Sequence, residues 1–278
     1  MDYSKIDWNA LWQIESRRSH WSITDARKLW DRRADSFTQR INRVKDGEAR
    51  DKDDYISKML DRIEVKPEWS VLDIGCGPGT LAIPLAQKAK SVTALDISPQ
   101  MLKNLRVNAE KLGLDNIRYL ETSWQDAFAG GKLPVHDVVV ASRSMMSGDM
   151  DFALSNVIAI SGRAAYLTFP VVHLPLDLEV YKAIGRGDKK HPPYIYILNL
   201  LYGKGVNANV EILYSKVKVQ FPGIDEAMED LQWRTDPFNP EEKVKARSYL
   251  EKTFAGQSPP YTHEGKSQWA LVWWHKEN

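Results

Sequence analysis

Residues 71–79 read VLDIGCGPG, a short apolar run that passes straight into glycines at positions 75, 77 and 79. Seventeen residues after Gly79, Asp96 closes a second apolar run within VTALDIS. Between the two lies LAIPLAQKA, a segment of helical composition. A strand, a glycine turn, a helix, a strand and a terminal acid form the order in which an α/β sheet holds an adenosine. The details of the turn then decide which adenosine compound is meant.

A dinucleotide fingerprint, G-x-G-x-x-G, would need its third glycine at position 80, where this chain has Thr80. Its purpose is to bring a pyrophosphate onto the N–H groups at the start of a helix. Here Asp73 stands two residues before the first glycine, where a carboxylate would repel a pyrophosphate. It suits a ligand that carries an ammonium and a sulfonium and no phosphate, and S-adenosylmethionine is such a ligand. The glycines, lacking Cβ atoms, would let the backbone lie close against its methionine part. Asp96 would accept hydrogen bonds from both ribose hydroxyls, as a strand-end acid does in nucleotide folds.

With D-x-G-x-G-x-G at 73–79 and a strand ending in Asp96, the chain resembles the class I S-adenosylmethionine-dependent methyltransferases of the small-molecule type. The likeness is good over residues 60–170 and looser elsewhere. It implies an α/β fold, a doubly wound, seven-stranded Rossmann-like sheet whose last strand is antiparallel, preceded by an N-terminal helical cap. It implies S-adenosyl-L-methionine as cofactor, held by Asp73, Gly75, Cys76, Gly77 and Gly79 at the methionine and by Asp96 at the ribose. Ile97 would pack on the adenine, with Met101 helping from the following helix. Ser123 aligns with an acid that in the family often bonds the adenine amine, and Asp126 is its rival if the alignment slips. Trp124 would cover the ring. Ser142, after the fourth strand, would lie under the sulfonium.

The whole chain has 278 residues, 43% of them hydrophobic, and a formal net charge of +1. That is ample for one α/β domain with additions. We expect a helical extension or lid over residues 1–53 and a methyltransferase domain over 54–278, with a helical substrate-side insertion at 172–205. A near-neutral charge argues against non-specific gripping of nucleic acid, without excluding a local basic patch. Cys76 is the single cysteine, so no disulfide, no cysteine-based zinc site and no iron–sulfur cluster can be built within the chain. Radical methyl transfer is thereby excluded, as is a cysteine-nucleophile route to C5 of cytosine. The start, MDYSKIDWNALW, lacks a basic start followed by an apolar core, and no apolar run is long enough to span a bilayer. A cytoplasmic protein is expected.

Tryptophans and arginines are mixed in the N-terminal region: Trp8, Trp12, Trp21 and Trp30 lie among Arg17, Arg18, Arg27, Arg32, Arg33, Arg40, Arg43 and Arg50. This reads as an amphipathic extension packed on the sheet, or as a lid of which WDRRADSF (30–37) is the candidate. Ile56, Met59, Leu60 and Ile63 have helical spacing. Thr80 is expected to cap the next helix; Ser98 and Pro99 open another, buried along Leu102, Leu105, Ala109 and Leu112 and stopped by Gly113. IRYLE, DVVVAS and AAYLTF are expected strands, and the unbroken valines at 138–140 suit a strand buried on both faces. Further on come two helices around the loop GRGDKKHPPY, a strand VEILYSKVKVQF with a bulge between Tyr214 and Val217, two more helices, and a last strand SQWALVWWHK covered on both sides.

Methyl transfer from a sulfonium is an in-line displacement in which the protein mainly orients the acceptor. A general base is needed only when the acceptor must lose a proton. His173, just beyond the fifth strand, is the candidate base, or a structural or exposed histidine. Ser142 and Tyr194 complete the candidate catalytic set, and Arg143 is an acceptor contact or a surface residue. The HPPY at 191–194 differs from the N/D-P-P-Y/F signature of amino-methylating enzymes in its first residue and in its place after the fifth strand. It reads as the start of a helix in the acceptor wall, with Tyr194, Tyr196 and Tyr202. His20, His136, His263 and His275 have no metal-ligand spacing, so no metal is expected. The acceptor is read as a small molecule and nucleic acid as unlikely, with no membrane and no assigned oligomeric state. An RNA-modifying enzyme and a non-catalytic cofactor-binding protein are the alternatives.

Overall fold

The computed structural model describes residues 5–16, 23–43, 55–131, 133–172, 175–187, 192–234 and 238–276. Three helices, α1 (Trp8–Ser16), α2 (Ile23–Arg43) and α3 (Tyr55–Arg62), precede β1 (Ser70–Ile74). Strands and helices then alternate: α4 (Ala82–Ala86), β2 (Ser91–Asp96), α5 (Pro99–Glu110), β3 (Ile117–Glu121), α6 (Trp124–Ala129), β4 (His136–Ala141), α7 (Met150–Ile160) and β5 (Ser161–Val172). The rhythm ends with α8 (Pro175–Ala183), α9 (Ile195–Gly203), β6 (Asn209–Phe221), α10 (Ile224–Arg234), α11 (Pro240–Thr253) and β7 (Tyr261–His275).

The strands form one seven-stranded sheet in the order β3-β2-β1-β4-β5-β7-β6. β1 to β5 are parallel, and β7 runs antiparallel between β5 and β6. This is the doubly wound sheet with an antiparallel last strand that the sequence predicts. Alternate residues of the valine run go to opposite faces: Val138 and Val140 join α3, α4 and α5, while Val139 joins α1, α6, α7 and α9. Burial on both faces is what removes polar alternation from a central parallel strand. β7 behaves likewise, with Trp269, Leu271 and Trp273 on the first face and Val272 and Trp274 on the second.

Several local expectations are corrected. β6 carries no bulge: it pairs with β7 in unbroken register from Asn209↔Trp273 to Phe221↔Tyr261. The inward face simply includes a serine, Ser215, whose hydroxyl meets that of Ser267 across the ladder at 2.8 Å, so a polar pair fills a buried slot without a phase change. The irregularity lies in β5, between Pro170 and Val172. Thr80 does not cap α4, whose N-cap is Leu81 with no side-chain bond. Ser98 does cap α5, accepting the Met101 N–H. Leu112 lies past the end of α5 and is 51% exposed; Met101 takes a place in the buried stripe instead.

The antiparallel β6–β7 pair continues past the end of β5. β5 leaves β7 at Val172↔Gln268, whereas β6 stays paired to Tyr261. The projecting end, through Phe221 and Tyr261, packs with α8, α10 and α11 around Val180, Leu231, Phe238 and Leu250 in a core of its own. Because β5 is parallel to β4, this projection stands beyond the carboxyl edge of the sheet. Within 172–205, α8 belongs to this third core and α9 to the second.

α1 is anchored at its centre. Trp12 is fully buried, its Nε1–H donates to the Ser147 carbonyl at 2.6 Å, and its ring meets Phe169 of β5 edge-on at 6.2 Å. Truncating Trp12 to alanine therefore opens a cavity against the sheet, and urea unfolding is expected to show a loss of about 3–5 kcal/mol. A loss below about 1 kcal/mol, typical of surface substitutions, would show that α1 is not part of the cooperative core.

Candidate active site

The carboxyl ends of β1 and β4 diverge at the topological switch point of the sheet, where ligands of open α/β folds bind. The glycine turn sits there, and its glycines answer first to the protein's own packing. Gly75 has φ +70°, and a Cβ on it would lie 2.3 Å from the Ser144 Cβ in the segment after β4. Gly79 has φ +94°, and its Cβ would lie 2.3 Å from Leu105 Cδ1 of α5. The reason for these two glycines is thus closure against β4 and α5, rather than approach to a ligand alone. At Gly77 a Cβ would meet only Phe37 of α2, at 3.9 Å. The turn is pinned by the Gly75 and Cys76 N–H groups, which both donate to the Leu95 carbonyl at 2.7 and 3.0 Å.

Two buried acids flank this turn. Asp73 is 2% exposed, and its Oδ2 has no hydrogen-bond partner. Burial, and then the charge of Asp96, push its carboxyl up to about 7, against the opposing effect of the Ala82 N–H. Asp96 accepts the Gly77 N–H at 2.8 Å on one oxygen and the Ser98 N–H at 2.9 Å on the other. Its carboxyl is raised by burial, with the Ser98 and Gly77 N–H groups working the other way. A buried carboxylate oxygen without a partner is costly, and a cationic group beside it would relieve the cost. The donor set therefore fits an ammonium- and sulfonium-bearing adenosine. Cys76 is buried beside it, and burial first, then the two acids, push its thiol well up, so it is no nucleophile.

The other expected cofactor residues surround the same edge. Ile97 is half-buried after β2, and Met101 is buried on α5. Ser123 is buried and caps α6: its Oγ accepts the Asp126 N–H at 3.0 Å and donates to Asp126 Oδ2 at 2.7 Å. Trp124 is buried against Phe128, with ring centroids 5.7 Å apart. Ser142 is half-buried after β4, its Oγ 2.8 Å from the Tyr55 hydroxyl. Tyr194 is half-buried at the start of α9, against the second core. His173 and His191 lie outside the described residues, as do Arg17, Arg18, Trp21 and Arg50. His136 is at the opposite end of β4, bonded to Pro134 and Thr93, and among the described residues no group of side chains could hold a metal ion.

α2 lies across the cofactor edge. Asp31 accepts from Ser98 Oγ at 2.6 Å, and Asp35 from Gln100 and Asn104 at 3.1 and 3.0 Å. Arg27 pairs with Glu121 at the end of β3, and Arg33 with Asp230 of α10 at 2.9 Å. The tryptophan–arginine composition marks this segment in the sequence, whereas its acids, which make the α5 contacts, are not distinctive there. Tyr55 is not distinctive in the sequence for a similar reason. It reads as one more apolar residue of α3, yet its hydroxyl joins Ser142 to Thr168.

Comparison with known proteins agrees with this geometry. Residues 71–159 match a family model described as a methyltransferase domain. A relative in Haemophilus influenzae, an uncharacterized protein, is 34% identical over 222 residues, covering 80% of this chain and 81% of that one. A 23S rRNA (uracil(1939)-C(5))-methyltransferase, RlmD of Shewanella sediminis, is 37% identical over 67 residues, which is 24% of this chain and 15% of that protein. Among solved structures, the YcgJ protein of Bacillus subtilis shares the fold with a TM-score of 0.56 at 12% identity, over 80% of this chain and 98% of that one. The BH2331 protein of Bacillus halodurans does so with a TM-score of 0.55 at 16% identity, over 81% and 99%. The chain belongs to the class I S-adenosylmethionine-dependent methyltransferases. It is an enzyme whose methyl donor is S-adenosylmethionine.

The raised Asp73 carboxyl has a consequence for stability. Its ordinary value is 3.8 and in the folded chain it stands at about 7, so between these the folded state holds a proton that the unfolded state has lost. Stability contributed at this group therefore falls as pH rises through that window and is flat above it. Asp73→Asn removes the titration. The variant is expected to gain on the wild type by up to about 4 kcal/mol between pH 4 and pH 8 in thermal or urea unfolding. A constant difference across that range would refute the buried proton.

Proposed function

We propose that this methyltransferase acts on a small-molecule acceptor. The observation that carries the reading is the Arg33–Asp230 ion pair, which runs from α2 to α10. α2 is docked at the end of β2 through Asp31 and Ser98, and α10 belongs to the core on the projecting end of the β6–β7 pair beyond β5. The pair therefore bridges the switch point from both sides and roofs it, which favours an acceptor small enough to sit inside. Two of the arginines of α2 that RNA could use are engaged within the protein, since Arg27 holds Glu121 and Arg33 holds Asp230, whereas Arg32 is exposed. The stretch shared with the rRNA enzyme is too small a part of either protein to bring an acceptor with it.

In this reading Asp73 and the turn Gly75, Cys76, Gly77 and Gly79 hold the methionine part, and Asp96 the ribose. Ile97, Met101, Ser123 and Trp124 border the adenine. Ser123 spends its hydroxyl on capping, so this end relies on packing more than on a polar contact. The bound cofactor supplies an electrophilic methyl group on sulfur. Ser142, held by Tyr55, faces the transfer path with Tyr194, and His173 is the candidate base where the acceptor must lose a proton. Residues 1–53 serve as the lid and 172–205 as part of the acceptor wall. A cytoplasmic setting suits a chain whose one cysteine is free and buried. No helix of the described residues is long and apolar enough to cross a membrane.

Two measurements test this. Asp96→Ala is expected to weaken S-adenosylmethionine binding by at least about tenfold in calorimetry, the loss of charge-assisted bonds to the ribose, with the far-UV spectrum retained. Unchanged affinity would remove Asp96 from the site. Incubating the enzyme with labelled donor and either a dialysed-out metabolite pool or total cellular RNA is expected to label the metabolite pool. Label confined to RNA would overturn the small-molecule reading.

A further inference from the structure

Arg143 follows β4 at the switch point and is the one non-glycine residue with positive φ among the described residues, at 58°. That conformation is sterically disfavoured for a side chain with a Cβ, and such residues persist where their surroundings hold them. The surroundings here are a closed network. The Arg143 N–H donates to Thr168 Oγ1 at 2.9 Å, the Tyr55 hydroxyl donates to the same oxygen at 2.7 Å, and Tyr55 also meets Ser142 at 2.8 Å. The guanidinium then lies over the Tyr55 ring at 4.3 Å and over the Trp269 ring at 5.7 Å. Trp269 pairs with Pro170 near the carboxyl end of β5, so the whole cluster stands on the ligand-binding edge of the sheet.

An arginine on a free surface loop needs neither the strained backbone nor the two rings. Arg143 is exposed, and among the described residues no carboxylate pairs with it. Stacking on aromatic faces fixes the plane of a guanidinium and leaves its N–H edges to donate in parallel, the geometry that takes a carboxylate or a phosphate in a two-point contact. The cation stands next to Ser142, on the acceptor side of a cofactor site whose own charges, Asp73 and Asp96, are acidic.

We propose that Arg143 anchors an anionic group of the acceptor, and that the enzyme methylates small molecules bearing a carboxylate or a phosphate. This rests on the small-molecule reading above and narrows it to acids. Arg143 is a binding and specificity residue; Tyr55, Thr168 and Trp269 position it.

The test fractionates a metabolite extract on an anion exchanger and assays each fraction, and the RNA pool, for label from methyl-labelled S-adenosylmethionine. Label is expected only in the retained, anionic fraction, with release of the product's retention by phosphatase or by esterification telling phosphate from carboxylate. Arg143→Gln is expected to lower transfer about ten- to hundredfold through KM for that fraction, the size of a lost charge-assisted pair. Its affinity for the donor should stay within about twofold, and Arg143→Lys should recover part of the loss because it keeps the charge and loses the fork. Label in the unretained fraction would overturn the proposal and leave the small-molecule reading intact. Weaker donor binding by Arg143→Gln that disappears with decarboxylated S-adenosylmethionine would also overturn it, since the arginine would then hold the cofactor's own carboxylate. Label in RNA alone would overturn both.

Discussion

The approach of the first turn to the segment after β4 is the constraint from which the site follows. Gly75 has no side chain, so Ser144 lies against it, and the Ser144 hydroxyl donates to the Ile74 carbonyl at 2.5 Å. This closes the backbone of β4 over the end of β1 at the point where the sheet reverses its winding. The chain between Ala141 and Ser144 must then turn within two residues, and Arg143 takes the left-handed conformation that the turn requires. One missing Cβ thereby shapes the cofactor turn on one side and orients an arginine on the other.

Charge is distributed along this edge in a definite order. Two buried acids stand under the glycine turn, one with an oxygen that nothing in the described chain satisfies. Desolvation raises both carboxyls, Asp73 further through the charge of Asp96 and Asp96 through that of Asp31, a condition that a cationic ligand relieves and an anionic one aggravates. Farther along, past Ser142, the sign changes at Arg143. A donor with a positive sulfur and an acceptor with a negative group would each meet the complementary end.

The contacts of α2 at this edge come from parts far apart in the chain. α2 is tied to α5 through Asp31, Asp35 and Thr38, and to α10 through Arg33. α10 in turn packs in the apolar core on the end of the β6–β7 pair that outruns β5. Surface ion pairs contribute little to stability individually. Here the Arg33–Asp230 pair is three-quarters buried on average and joins two elements that share no core, so it links parts of the chain that the apolar clusters leave separate.

The local chemistry was legible in the sequence by itself: D-x-G-x-G-x-G with Asp96 beyond it, the doubly buried valine strand, the Ser98–Pro99 helix start and the two-sided final strand. Each of these depends on nearest neighbours and on periodicity, which one-dimensional reading captures. What only the tertiary structure decided are the contacts between distant residues. Ser215 and Ser267 remove the need for a bulge, Gly75 answers to Ser144 and Gly79 to Leu105, Tyr55 locks Ser142 and Thr168, and the acids of α2 dock it on α5. These partners lie tens to more than a hundred positions apart, and no spacing rule connects them. Their pairing arises only when packing brings the surfaces together, which is why the sequence identifies the methyl donor and the folded shape is needed to speak of the acceptor.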